Sequence, residues 1–406
     1  MNRVEVTSQL SADIRSSTGK SALVWVFGEL DKRGSFEDYL VRLAERSHEV
    51  GIELHIVAGP RCVAGLKDEL ASHRARLSCV SIAERDSLRH FIREMRRVRP
   101  VLVHCHFGSP SSVFAPFARL LGANRFVMTD HGSRTVVEQQ EGVLQALRKL
   151  RRRAQAAYID LWLPVSGFVR EMLINEVAAP RERVRVLLNG IDLTRVQQVA
   201  IQGQGTIRDR LGLPQDARIA LFVGNLVEEK GVFDLIEMQH QILAHDERWM
   251  ILWVGDGPLR KEVEAHANDR IRVLGRRSDV PDLVRASDVL LAPSRWQEAF
   301  SLALAEAAAG GIPAVATRVG AIPEVVLDGE TGLLAPLGDR NAFINAAIRL
   351  MSDPSFSKCL GHNGQRRAEV VFSLDRMISQ TLEEYRRLLA GGAKAKILEH
   401  VAQRVT

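Results

Sequence analysis

Short apolar segments alternate with longer amphipathic segments along most of the chain. In the first half, SALVWVFG, IELHIVAG, VLVHCHF, RFVMTDHG and LWLPVS have the pattern of buried strands, and helical segments such as SFEDYLVRLAERSHEVG separate them. A second set of strands comprises RIALFVGN, WMILWVG, IRVLG, DVLLAPS and IPAVATRVG. Because strands that alternate with helices form parallel sheets, the pattern predicts an α/β protein with two consecutive doubly wound halves.

The length of the chain predicts more than one domain. Its 406 residues exceed what a single hydrophobic core usually serves, and 46% of them are apolar. We predict domains at residues 1–195 and 196–373, followed by a helical segment at 374–406 that packs back towards the first domain. The stretch QQVAIQGQGTIRDRLGLP is polar and contains glycine, which predicts a linker followed by a short helix.

Composition narrows the class of protein further. The longest uncharged apolar run falls far short of the roughly 20 residues that a membrane-spanning helix needs. The polar start MNRVEVTSQLSADIRSSTGK lacks the apolar core of a signal peptide, which predicts a cytoplasmic location. Cys62, Cys79, Cys105 and Cys359 show no CxxC spacing, so we expect neither a disulfide framework nor a structural zinc site.

The segment EAFSLALAE carries a carboxylate at each end of an apolar run, at Glu298 and Glu306. The stretch LALAEAAA is a good helix former with little polar surface, so Glu306 is predicted to lie inside the protein. A buried carboxylate is costly unless it is paired, and hydroxyl groups of a ligand are one source of partners. Glu298 falls in the preceding loop, and the free amides of Phe300, Ser301 and Leu302 at the helix start suit an anion.

A second strand-to-helix turn, LFVGNLVEEKG, suits a phosphate group. Gly224 and Asn225 directly follow a predicted strand, and Lys230 precedes a predicted helix. Backbone amides and one ammonium group at a helix start bind phosphate well. The alternative is that Lys230 is a solvated surface residue beside Glu228 and Glu229.

These segments resemble a known family. PSRWQEAFSLALAEAAAGGIPAVATRVGAIPEVVLDGETGLLAP resembles the signature of retaining glycosyltransferases of family 4, in which seven residues separate two glutamates. VGNLVEEKG, VGDGP, RVLGRR, ASDVLLAPS, LLNGID, HCHF and TDHG match further marks of the family, and the resemblance is strongest from about residue 185 to 340. It implies a GT-B fold, with two Rossmann-like domains facing a cleft. The N-terminal domain would take the acceptor, and the C-terminal domain would hold most of the nucleotide-sugar.

The resemblance also implies roles for individual residues. Lys230 would contact the donor diphosphate, Glu306 the ribose, and Glu298 the hydroxyls of the transferred sugar, while His131 would lie near the reacting centre. His131, Lys230 and Glu298 are thus the implied catalytic residues. The implied substrate-binding residues are Gly34, Gly224, Asn225, Lys230, Glu298, Phe300, Ser301, Leu302 and Glu306.

The chain departs from the family pattern at three places. Asn225 stands where the family usually has Arg, so one of two cations expected on the diphosphate is missing. Ala299, Phe300 and Ser301 replace the usual Gly-Phe-Gly, and bulkier residues either narrow the sugar pocket or change how closely the backbone approaches it. Gly34 is followed by Ser35 instead of a second glycine.

The implied reaction is retaining sugar transfer from a UDP- or GDP-sugar substrate to an acceptor, expected to be a lipid-linked or cell-envelope glycan. No cofactor and no metal are expected. The segment EGVLQALRKLRRRAQAAYIDLW places apolar residues at helical spacing and crowds basic residues at Arg148–Arg153, which suits an anionic membrane surface on the cytoplasmic side.

Other classes remain as alternatives. A GT-B nucleotide-sugar epimerase, or a transferase with a small soluble acceptor, fits the same motifs. His104 and His106 in HCHF point to one face of a strand, which is the spacing of two metal ligands, and with His131 they suggest a metal-dependent hydrolase. Nucleic acid is not an expected partner despite the net charge of +6, because the basic run lacks interleaved aromatic residues.

Overall fold

The computed structural model describes residues 20–31, 33–82, 84–108, 113–132, 154 and 156–402. The basic segment Arg148–Arg153 lies outside the described residues. The described residues form two six-stranded parallel sheets with helices on their faces, as the alternating pattern predicts.

Each sheet is built from consecutive strands. The strands of the first sheet are β1 (Lys20–Val26), β2 (Ile52–Ala58), β3 (Arg76–Cys79), β4 (Leu102–His106), β5 (Arg125–Asp130) and β6 (Leu161–Pro164). Those of the second are β7 (Arg218–Val223), β8 (Trp249–Val254), β9 (Ile271–Gly275), β10 (Val289–Ala292), β11 (Ala314–Thr317) and β12 (Gly332–Ala335). The orders are β3-β2-β1-β4-β5-β6 and β12-β11-β10-β7-β8-β9, so both sheets have the doubly wound Rossmann order.

Helices connect the strands of each sheet and continue beyond the second. Those described in the first half are α1 (Ser35–Ser47), α2 (Leu66–Ser72), α3 (Glu84–Val98), α4 (Phe114–Leu120) and α5 (Gly167–Met172). Then follow α6 (Leu193–Ile201), α7 (Gln204–Arg210), α8 (Val232–Leu243), α9 (Arg260–Glu264), α10 (Val280–Ala286), α11 (Leu302–Ala309), α12 (Ile322–Val325), α13 (Arg340–Ser352), α14 (Pro354–Val371) and α15 (Leu374–Ala402). Single turns of other helix types occur at His48–Val50, Leu173–Val177, Arg181–Arg183 and Glu228–Lys230.

The structure corrects two details of the sequence prediction. Strands β3 and β12 were not among the predicted strands, and both are four-residue strands at the outer edge of a sheet. The predicted linker is also wrong in its first part, because residues 197–201 belong to α6. The chain turns only at Gly203, whose φ of 77° favours glycine.

The last helix, α15, packs against the first half of the chain. Leu374, Ile378 and Tyr385 on α15 share a hydrophobic cluster with Val24 on β1 and Leu40 on α1. The chain thus crosses back after the second sheet, and α15 brings Tyr385 close to the middle of the first sheet. Among the described residues, no helix is both long enough and apolar enough to span a bilayer.

Candidate active site

The residues singled out from the sequence lie beyond the carboxyl ends of the strands. Gly34 ends the loop after β1 and His131 follows β5, while Lys230 and Glu298 lie in the loops after β7 and β10. Strand order reverses between β1 and β4 and again between β7 and β10, and ligands of doubly wound sheets bind at such reversals. A contact joins the two halves here, because Ser35 Oγ donates to Glu306 Oε1 at 3.4 Å.

Lys230 and Glu298 form an ion pair beyond the carboxyl ends of β7 and β10. Lys230 Nζ lies 2.5 Å from Glu298 Oε1, and Ser294 Oγ donates to the same oxygen at 2.8 Å. Glu298 is only 7% exposed, whereas Glu228 and Glu229 are exposed. Lys230 is therefore directed towards the buried carboxylate of Glu298 and not towards Glu228 or Glu229, although its side chain remains 33% exposed.

The backbone of the following loop holds Glu298 in place. Glu298 O accepts from Ala321 N at 2.8 Å, and Gln297 Oε1 accepts from Gly320 N at 2.7 Å. Gly320 has a φ of 52°, and a Cβ there would lie 2.4 Å from Glu298 O. Only glycine allows this close approach, so Gly320 is a supporting residue that the sequence analysis missed.

The glycines after β7 and β8 let three loops approach one another. A Cβ on Gly255 would lie 1.7 Å from Gly224 O, and a Cβ on Gly231 would lie 1.9 Å from Pro293 O. Gly224 is half-buried and Asn225 is exposed at the start of the first loop. The turn in VGDGP therefore packs directly against the loop that leads to Lys230.

The first turn of α11 offers unsatisfied backbone N–H groups. Phe300 and Ser301 are buried, and Leu302 is half-buried at the first helical position. The side chain of Ser301 occupies the N-cap position but makes no capping hydrogen bond. The amides at this helix start therefore remain for an anionic ligand.

Glu306 differs from the sequence prediction in its exposure. We predicted that it lies inside, but it is half-buried, and Glu298 is the more buried of the two glutamates. The physical reason is that Glu306 lies on the side of α11 that meets Ser35 across the cleft. Protein atoms nevertheless surround its carboxyl group, and this burial raises its pKa to about 7, against the opposing effects of Ser35 and Arg195.

Three histidines cluster at the carboxyl ends of β4 and β5 in the first sheet. His131 Nε2 lies 3.1 Å from His106 Nδ1. His104 is fully buried, with Nδ1 2.6 Å from the Tyr385 hydroxyl and Nε2 2.7 Å from Thr129 Oγ1. Burial lowers the pKa of both His104 and His131 to about 3, so both rings are neutral at physiological pH.

These contacts contradict the metal-dependent hydrolase hypothesis. Both ring nitrogens of His104 already have hydroxyl partners, so neither is directed at a metal ion shared with His106 and His131. Across the described part of the chain, no group of three His, Cys, Asp or Glu residues could hold a metal ion. The HCHF motif instead supplies packing and hydrogen bonds behind His131.

Two aromatic residues that the sequence analysis did not assign also contact His131. The Phe107 ring stacks on the imidazole, with centroids 4.2 Å apart, and the Phe36 ring meets it edge to face at 5.7 Å. Phe107 is 45% exposed and has a φ of 59°, which is unusual for a bulky residue. The sequence offered one signal, an aromatic residue directly after β4. Its contact with His131 depends on the pairing of β4 with β5, which the sequence does not show.

Two doubly wound domains with a lysine–glutamate pair and a free helix start at facing strand ends define a GT-B glycosyltransferase. A model of Glycosyltransferase Family 4 matches residues 36–195, and a model of Glycosyl transferases group 1 matches residues 217–353. The chain belongs to glycosyltransferase family 4.

Individual relatives support the same assignment. The chain is 28% identical over 307 residues to N-acetyl-alpha-D-glucosaminyl L-malate synthase of Bacillus anthracis, covering 73% of this chain and 77% of that protein. It is 26% identical over 283 residues to UDP-Gal:alpha-D-GlcNAc-diphosphoundecaprenol alpha-1,3-galactosyltransferase of Escherichia coli, covering 67% and 72%. The crystal structure of Anabaena HepE in complex with UDP and glucose has a TM-score of 0.70 at 18% identity, covering 90% of this chain and 99% of that one.

Proposed function

We propose that this glycosyltransferase moves a sugar from a nucleotide-sugar, a UDP- or GDP-sugar, to a glycan or lipid-linked acceptor with retention at the anomeric carbon. The observation that carries the proposal is the Lys230–Glu298 pair beside the uncapped start of α11, opposite Ser35. A cation and backbone dipoles at such a site would stabilise the charge that develops on a leaving diphosphate. No bound metal or cofactor is part of the proposal.

Each donor-side residue has a distinct role in this proposal. Lys230 neutralises charge on the diphosphate, so a bound donor competes with Glu298 for its ammonium group. Glu298 holds hydroxyls of the transferred sugar, and Glu306 accepts from the ribose hydroxyls. UDP in the Anabaena structure and UDP-Gal in the name of the Escherichia coli relative support a nucleotide-sugar donor.

Retention is proposed from the resemblance to retaining glycosyltransferases of family 4, and a front-face route is proposed because neither Glu298 nor Glu306 is placed as an obvious nucleophile. Glu298 Oε1 is already bound by Lys230 and Ser294, and Glu306 lies more than one helical turn into α11. A front-face reaction, in which the leaving phosphate assists the incoming hydroxyl, then requires mainly stabilisation of the diphosphate. NMR of the anomeric carbon in the product tests this directly, and an inverted product refutes it.

The proposed acceptor is a lipid-linked or cell-envelope glycan at the cytoplasmic face of the membrane. The diphosphoundecaprenol acceptor in the name of the Escherichia coli relative supports this choice. A small soluble acceptor is the second candidate, because the Bacillus anthracis relative, an N-acetyl-alpha-D-glucosaminyl L-malate synthase, matches 73% of the chain. The basic segment Arg148–Arg153 would attach the enzyme to anionic lipid, and changing Arg151, Arg152 and Arg153 to Ser should reduce sedimentation with anionic vesicles.

The deciding experiment is a matrix of donors and acceptors. Nucleotide-sugars that stabilise the folded protein in a thermal-shift screen are incubated with a lipid-linked glycan, with small hydroxy acids, and without any acceptor. Transfer to the lipid-linked glycan supports the proposal, and transfer only to small acceptors supports the second candidate. A changed donor sugar in the absence of any acceptor would instead indicate an epimerase.

A further inference from the structure

The hydrogen bond between His106 and His131 raises the question of which ring provides the proton. Both imidazoles are neutral, since burial lowers the pKa of each ring. A neutral imidazole has one N–H donor and one acceptor nitrogen. The contact between His106 Nδ1 and His131 Nε2 therefore has two possible directions, and each direction fixes the tautomer of both rings.

The other ring nitrogen of His106 distinguishes the two directions. His106 Nε2 is buried and has no hydrogen-bond partner among the described residues. If His131 donated, His106 would carry its proton on Nε2, as a buried N–H without an acceptor. If His106 donates from Nδ1, its Nε2 carries no proton and is only an acceptor without a donor. Orphaned buried N–H groups are rarer in proteins than under-satisfied acceptors, which favours His106 as the donor.

Packing keeps the His106 ring in the orientation that this bond needs. Its centroid lies 4.1 Å from the His104 ring, and Phe36 and Tyr39 meet it edge to face at 5.1 and 5.4 Å. His104 is itself held by the hydroxyl groups of Thr129 on β5 and Tyr385 on α15. The fully buried His106 thus has little freedom to rotate its ring away from His131.

From these contacts we propose that His106 is a positioning residue, which donates from Nδ1 to His131 Nε2 and so holds His131 as the tautomer protonated on Nδ1. His131 then presents an N–H donor, and not a lone pair, as its second ring atom. Such a donor suits an oxygen atom of the sugar or of the leaving group. This last consequence rests on the proposed function, whereas the tautomer itself does not.

The first test is NMR of the unmodified protein labelled with nitrogen-15 in histidine. The two nitrogens of a neutral imidazole have distinct chemical shifts and couplings, and a His131→Asn variant assigns the His131 signals. We expect a protonated Nδ1 in His131 and a protonated Nδ1 in His106. A protonated Nε2 in His131 overturns the proposal, whether or not any sugar transfer is found.

The second test separates a positioning role from a merely structural one. His106→Asn keeps an N–H donor near the position of Nδ1, whereas His106→Leu keeps apolar volume without a donor. We expect His106→Leu to lower kcat about 10- to 100-fold with the donor KM changed less than threefold, and His106→Asn to recover most of that loss. A Leu variant within threefold of the unmodified enzyme, or an Asn variant as impaired as a folded Leu variant, would overturn the positioning role.

A matched control is available on the protein surface. His240 Nε2 and His266 Nδ1 lie 3.4 Å apart, so His240→Asn alters another histidine pair, at an exposed location. We expect this variant to leave both kcat and the His131 tautomer unchanged. If His106→Leu does not fold, the NMR result on the unmodified protein still decides the proposal. If no donor supports transfer, the proposed function fails while the tautomer remains measurable.

Discussion

Replacing Glu306 with Gln should remove a pH dependence of donor binding that the unmodified enzyme shows between pH 6 and 8. Burial raises the pKa of Glu306 to about 7, so the carboxyl group is mainly protonated below pH 7 and mainly ionised above it. If the ionised form accepts hydrogen bonds from the ribose hydroxyls, donor affinity rises as the pH increases through 7. Gln has nearly the same size but does not titrate, so its affinity should stay level.

The magnitude follows from the fraction of ionised Glu306. With a pKa of about 7 in the free enzyme, the ionised fraction is roughly one tenth at pH 6 and roughly nine tenths at pH 8. The donor Kd should therefore be about tenfold higher at pH 6 than at pH 8, which is about 1.4 kcal/mol. At pH 8, Gln should weaken binding by about 1.5 to 3 kcal/mol, because a charged acceptor has been lost.

Isothermal titration with an intact nucleotide-sugar measures this most directly. A free nucleoside diphosphate is unsuitable, because its terminal phosphate titrates at a pKa of about 6 and would add its own pH dependence. Glu247→Gln is the control, since Glu247 is exposed and lies just before the start of β8, at the amino ends of the strands and away from the site. Equal pH profiles for Glu306→Gln and the unmodified enzyme would refute the assigned role of Glu306.

Three further outcomes are expected. Lys230→Ala should lower kcat/KM by about 30- to 1,000-fold, or about 2 to 4 kcal/mol, because it removes positive charge from the leaving group. Lys230→Arg should lower kcat/KM less, and a decrease below threefold for Lys230→Ala contradicts the assigned role. Gly255→Ala should lower the melting temperature more than Gly329→Ala. Both glycines have positive φ, but only a Cβ on Gly255 would clash with backbone, at 1.7 Å from Gly224 O. Equal decreases in melting temperature would show that the two loops can separate. His104 has a pKa of about 3 in the fold and 6.5 in the unfolded chain, so the free energy of unfolding should fall by about 1.4 kcal/mol for each pH unit below 6.5. His104→Leu should lose less stability than the unmodified protein between pH 7.5 and pH 5.5, as measured by urea unfolding. An unchanged difference between the two pH values would mean that His104 does not stay neutral in the fold.

The sequence alone was sufficient to predict two doubly wound halves and the family. Ten apolar runs alternate with helical segments, and the central strands are buried on both faces, so their sequences are continuously apolar. The short edge strands β3 and β12 escaped prediction because only one or two residues of each are fully buried. The first part of the linker escaped because polar residues on the outer side of α6 resemble a loop.

Tertiary structure alone decided which of these residues contact one another. Lys230 and Glu298 are 68 positions apart, and His106 and His131 are 25 apart, so local sequence cannot predict either contact. Each pair forms because parallel strands, β7 with β10 and β4 with β5, end at the same edge of a sheet. The relative burial of Glu298 and Glu306 likewise depends on which loop packs beside each carboxylate. Sequence periodicity determines which residues reach the strand ends, whereas strand register and the approach of the two domains determine the distances between them.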